Sequence, residues 1–145
     1  MEESNFFRLV HDGNQLSYKM ISLFLKHFDH KLNISQVILL EYIKRNGHAK
    51  PSDIAKALGF TYGAITTMTN KLVEMEYVVR INHSGDRRVV MLNITETGLK
   101  VLEEAESVGK QVRNAVYDIL SEEELKQMKQ IQEKLLNHVA SIKTL

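Results

Sequence analysis

The sequence predicts a mainly α-helical fold with one small β-hairpin and long helices at both ends. Three observations lead there. Apolar residues recur at helical spacing over most of the chain. Residues 77–93 instead carry two β-branched runs on either side of a turn cluster. Directly before them come three helical segments, each with its own start and stop residues.

Residues 5–30 predict the first long helix. Phe6, Phe7, Leu9, Val10, Leu16, Met20, Ile21, Leu23, Phe24, Leu25 and Phe28 cover more than one narrow stripe. A helix that apolar packs on two sides, one in its own core and one against a partner subunit. Ser35 is expected to cap the next helix, whose inner positions are Val37, Leu40 and Ile43 and whose end lies near Asn46-Gly47. Pro51 suits the first position of a third helix, with Ile54, Ala55 and Leu58 inward and Gly59 at its end. Thr61 caps a fourth helix running to about Met75. Tyr77–Ile81 and Val89–Asn93 are strand-like, and His83-Ser84-Gly85-Asp86 is the turn between them. Thr95 caps a long helix from Glu96 to about Ile119. Ser121 with Glu124 matches a capping box, and Leu125, Met128, Ile131, Leu135 and Val139 mark the last helix.

Composition bounds the function. The chain has 145 residues, 43% hydrophobic and 26% charged, which fits one compact domain with helical extensions. Zero cysteines exclude disulfides, thiol catalysis and cysteine-based zinc sites. No stretch approaches the roughly 18–20 apolar residues that span a membrane. No basic region followed by an apolar core marks a secretory signal at Met1–Glu3, so the expectation is a cytoplasmic protein with no membrane role. The net charge is only +1, but it is unevenly spread: residues 44–90 carry +4 and the rest of the chain −3. A basic middle between acidic flanks points weakly to nucleic acid.

The helical middle carries a sharper signal. Ala55, Gly59 and Ile65 stand at offsets 0, +4 and +10. A helix-turn-helix needs a small residue where its helices meet, a residue tolerant of positive φ in the turn, and an apolar anchor in the second helix. In that second helix Ile65, Met68 and Leu72 share the inner face. Gly63, Thr66, Thr67 and Asn70 share the outer one. Asn can pair with an adenine edge, a Thr methyl can touch a thymine methyl, and Gly63 lets a phosphate approach the backbone. No Arg lies on this face, so arginine–guanine readout from this helix is not expected. The hairpin that follows holds Arg87 and Arg88 beside Asp86, where arginines can enter a narrow minor groove and the Asp can hold Arg88 in one pose. Helix-turn-helix and hairpin together predict a winged helix-turn-helix.

On these residues the chain resembles the MarR family of bacterial regulators. The resemblance is carried by Leu32-Asn33-Ile34-Ser35-Gln36, by Ile54–Gly59, by Ile65–Leu72, and above all by Asp86-Arg87-Arg88 followed by Leu92-Asn93-Ile94-Thr95-Glu96-Thr97-Gly98. It implies a double-stranded-DNA-binding homodimer. Residues 1–31 and 99–145 would form its helical dimerisation region and residues 32–98 its DNA-binding region. It also implies recognition helices in successive major grooves, wings in the minor groove, pseudo-palindromic operators, repression in most members, and release by a small-molecule effector in many. The candidate DNA-contacting residues are Thr61, Tyr62, Gly63, Thr66, Thr67, Asn70, Lys71, Asp86, Arg87 and Arg88. The chain departs from the family pattern at Glu76, where Gly is common, and at Thr67, where Arg is common.

No cofactor and no metal is expected. His27, Asp29, His30 and Glu41 suggest a zinc site, but the helix from Glu96 to Ile119 offers no His to complete one. Glu103, Glu104 and Glu106 look like a solvated helix face, not a catalytic acid–base pair. Two non-enzymatic rivals remain. A winged-helix protein-interaction module would keep background DNA affinity after charge reversal of the wing, and an architectural DNA binder would discriminate little between sequences.

Overall fold

The computed structural model describes residues 5–83 and 85–144. Its elements are α1 (Phe6–His27), α2 (Ile34–Asn46), α3 (Pro51–Leu58), α4 (Tyr62–Glu74), β1 (Val78–His83), β2 (Asp86–Ile94), α5 (Glu96–Tyr117) and α6 (Glu122–Ser141). The chain divides into two compact units, Met1–Gly109 and Lys110–Leu145.

The core of the first unit is built from one face of each element. Leu39, Leu40 and Ile43 of α2, Ile54 of α3, Ile65 and Leu72 of α4, Val78 and Leu92 of the strands and Leu102 of α5 are all fully buried. The strands form a two-stranded antiparallel sheet in which Val78 faces Ile94 and Arg80 faces Leu92. Ala49, between α2 and α3, adds a bridge to this sheet. Its N–H donates to the Leu92 carbonyl at 3.3 Å, and the Leu92 N–H donates back at 2.8 Å. The sequence carries no period-2 pattern there, because one bridged residue is too short to show one.

Several boundaries differ from expectation. α1 stops at His27, and Phe24 and Phe28 turn its end inward with ring centroids 5.0 Å apart. The cap of α2 is Asn33, not Ser35: its side chain accepts from the Gln36 N–H, and the Gln36 side chain accepts from the Asn33 N–H, both at 2.9 Å. Asn is as good a cap as Ser, and the reciprocal Gln36 bond decides between two adjacent candidates. Gln36 is itself buried. α5 ends at Tyr117 rather than Ile119. The caps expected at Thr95 and Ser121 are present: the Gly98 N–H donates to Thr95 Oγ1 at 3.0 Å, and the Glu124 N–H to Ser121 Oγ at 3.2 Å.

The hairpin is longer than its β-branched runs. β1 reaches His83 and β2 begins at Asp86, with a register irregularity at Asn82–His83. Asp86, Arg87 and Arg88 therefore stand in a strand, not in a loose turn; Ser84 of the expected turn lies outside the described residues. Pairing with β1 overrides the turn preference of Asp86. In α5 Glu103, Glu104 and Glu106 are exposed, as expected of a solvated face, and two of them also make ion pairs. Glu104 meets His30 Nε2 at 2.5 Å and Glu106 meets Lys44 Nζ at 2.9 Å.

The junction of α4 with β1 explains a motif. Glu76 is the one described non-glycine residue with positive φ, at 61°. Its carbonyl accepts from Thr95 Oγ1 at 2.6 Å, and the neighbouring Tyr77 carbonyl accepts from the Thr95 N–H at 3.0 Å. A Cβ on Gly98 would stand 2.2 Å from that same Tyr77 carbonyl oxygen. Thr95 and Gly98 thus form a socket for the start of the hairpin.

Candidate nucleic-acid interface

α3 and α4 make the helix-turn-helix. Pro51 opens α3 at its first turn, where no N–H is needed. Gly59 closes it at φ 70°, ψ 22°, the left-handed conformation that a Cβ disfavours. The Phe60 N–H then donates to the Ala55 carbonyl at 3.1 Å, and Ala55 is nearly buried at the corner. Thr61 caps α4, its hydroxyl accepting from the Ala64 N–H at 3.1 Å.

α4 divides into two faces. Ile65, Thr69 and Leu72 are buried and Met68 is half-buried, so Thr69 takes a core position that apolar spacing assigns to Met68. The outer residues Tyr62, Gly63, Thr66, Thr67, Asn70 and Lys71 are all exposed, as is Thr61. The Thr66 hydroxyl donates to the Tyr62 carbonyl and the Thr67 hydroxyl to the Gly63 carbonyl, both at 3.0 Å. Their hydroxyl protons are therefore used inside the helix. Outward they offer methyl groups and oxygen lone pairs, which can accept from an amino group or touch a thymine methyl.

The hairpin supplies the charge. Asp86 Oδ1 accepts from the Arg88 backbone N–H at 2.9 Å and from Arg88 Nε at 3.2 Å. One carboxylate oxygen thus holds both the backbone and the side chain of Arg88, which is otherwise 92% exposed. In water such a pair adds little stability. Its consequence is orientation, because it points the remaining guanidinium donors away from the protein. Arg87 beside it is exposed.

One side chain absent from the expected set joins this surface. Arg80 of β1 donates from Nη2 to Asn70 Oδ1 on α4. Strand alternation signals it: Arg80 shares a sheet face with buried Val78, the face toward the helices. Neither residue alone reveals that this face abuts α4.

His30 is occupied by Glu104, and among the described residues no three His, Asp or Glu side chains converge as metal ligands. No helix among the described residues is long and apolar enough to cross a membrane.

A family model described as the MarR family matches residues 32–90. The HTH-type transcriptional regulator YpoP of Bacillus subtilis (strain 168) is 32% identical over 100 residues, covering 61% of this chain and 71% of that protein. The HTH-type transcriptional repressor MdtR of the same organism is 31% identical over 101 residues, covering 70% of this chain and 65% of MdtR. Among solved structures, a mutant MarR from E. coli complexed with operator DNA is similar at a TM-score of 0.78. It is 25% identical and covers 92% of this chain and 99% of that one.

Proposed function

The chain belongs to the MarR family, and from that premise we propose that it is a repressor acting as a homodimer on a pseudo-palindromic operator. Its relatives are DNA-binding regulators of transcription, not enzymes, and this chain is one of them. What carries the finer reading is the pairing of two surfaces. The outer face of α4 is small, polar and exposed, and Arg88 is held outward by Asp86 on the adjoining hairpin. A helix fits the major groove, and an arginine on a projecting hairpin fits the narrow minor groove of A·T-rich DNA.

In this reading Thr61, Tyr62 and Gly63 approach the phosphates at the start of α4. Thr66 and Thr67 meet base edges, with Asn70 farther along, and Lys71, Arg87 and Arg88 neutralise backbone charge. Residues 32–98 carry the DNA contacts, and the helices of 1–31 and 99–145 serve dimerisation. Homodimerisation is supported by apolar surface left uncovered on α1 and, separately, on α6. Phe6, Phe7 and Leu9 are 60–76% exposed, and Ile131, Leu135, Leu136 and Val139 are 58–71% exposed. Apolar patches of that extent mark interfaces.

The test starts by selecting bound sequences from random duplexes at fixed salt. Two half-sites roughly 34 Å apart are expected, one helical turn, matching a two-fold dimer. Arg88→Ala should then weaken binding to the selected duplex by about 1–3 kcal/mol. Unchanged affinity would remove the wing from the interface.

A further inference from the structure

The outer face of α4 has no arginine of its own, but the fold delivers one to it. Along β1 the side chains alternate: Val78 is buried, while Val79 and Ile81 lie on the other face of the sheet, 43% and 40% exposed. Arg80 pairs with buried Leu92, so it leaves the sheet on the side packed against α4. There its guanidinium is bound to the Asn70 amide oxygen, on the face that also presents Thr66 and Thr67. We propose that Arg80 is a specificity-determining residue that reads one guanine in each operator half-site, and that Asn70 is its positioning residue. The inference rests on the reading that α4 enters the major groove.

Two arguments favour a base over a phosphate. A guanidinium has five N–H donors, and Asn70 engages only Nη2. Enough donors remain to make the parallel pair that matches guanine O6 and N7. A phosphate accepts a cation in many poses and needs no partner to hold it. A base edge requires a fixed fork, and a held arginine loses less freedom when it binds. The second argument concerns Asn70. To read adenine, an Asn must accept from N6 through Oδ1 while donating to N7. Here Oδ1 is already engaged by a cation, in a bond roughly twice as strong as a neutral one. Asn70 therefore serves Arg80 before it serves a base.

The face is thus divided by chemistry. Thr66 and Thr67 present methyls and acceptors suited to A·T pairs, and the Asn70–Arg80 end presents donors suited to one G·C pair. The expected half-site is an A·T-rich core bounded on one side by a G·C pair.

The test compares sequences selected from random duplexes by the wild-type chain, Arg80→Lys, Arg80→Ala and Asn70→Ala at one salt concentration. The wild type should prefer G·C at one position per half-site. Arg80→Lys keeps the charge on a similar stem but loses the fork, so that preference should fall on the order of tenfold while affinity for unrelated duplex is retained. Arg80→Ala should abolish the preference, and Asn70→Ala should weaken it at the same position. If the Arg80 variants bind every sequence more weakly but keep an unaltered profile, Arg80 contacts a phosphate and the proposal fails. If Asn70→Ala alters a different position, its positioning role fails. A wild-type chain that selects no sequence would overturn the operator reading and this one together, which separates that failure from the first two.

Discussion

At Gly98 a single hydrogen occupies the only space available. A methyl group there would sit 2.2 Å from the Tyr77 carbonyl oxygen and 2.8 Å from Ile94. The obstructing atom is backbone, held by its own bond from Thr95, so it cannot swing aside. Gly98→Ala should therefore destabilise the chain by about 2–3 kcal/mol, read as a lower urea midpoint; an unchanged midpoint would show that the socket relaxes. Glu76 presents the opposite case. A left-handed φ of 61° strains a residue with a Cβ by about 1–2 kcal/mol, whereas glycine takes it freely. Glycine also costs roughly 0.5–1 kcal/mol in chain entropy. Glu76→Gly should then stabilise by about 0.5–1 kcal/mol net, and a loss of stability would mean that the Glu side chain contributes contacts of its own. The Glu76 departure was visible in the sequence, but its conformation was not, since φ is set by how α4 must turn into β1.

At the scale of elements, helix starts are decided by competition between neighbouring caps. Asn33 and Ser35 are both good N-caps, and only Asn33 has Gln36 three residues on to close the box. Asn33→Ala should cost about 1 kcal/mol in thermal or urea unfolding, and Ser35→Ala close to nothing; the reverse order would restore Ser35 as the cap. α3 and α4 were legible almost to the residue, because Pro51, Gly59 and Thr61 each impose a local backbone geometry. The strands were legible in kind but not in length. Asp86 is extended because His83 of β1 pairs with it, a contact that no local pattern encodes, and Arg87 and Arg88 follow it in β2 beside the register irregularity.

At the scale of the whole molecule the feature that asks for a partner is exposed apolar surface. α6 buries none of its residues, yet Leu135 and Leu136 stand 58% and 71% exposed. If a second copy covers this face, replacing both with Asp would bury charge at a cost of several kcal/mol. Leu135→Asp/Leu136→Asp should weaken self-association on the order of a hundredfold or more in sedimentation, with helical circular dichroism retained. Equal association of variant and wild type would take α6 out of the dimer interface. Operator affinity should fall with association, because two half-sites bind far more tightly through one linked dimer than singly.

Periodicity, caps and glycines sufficed to establish six helices and a hairpin in order and a helix-turn-helix at Ala55–Ile65, and the spacing of Asp86 and Arg88 offered the bond that Arg88 donates to Asp86. These are local features, set by residues within a few positions of one another. Tertiary structure alone decided the rest: the Ala49 bridge, the burial of Thr69, the pairing of Glu104 with His30, and above all the meeting of Arg80 with Asn70. Each joins side chains or strands whose meeting depends on which faces of two elements come together. In α4 the pattern of small polar residues marked the surface that faces outward. The packing of β1 against it determined which arginine that surface carries.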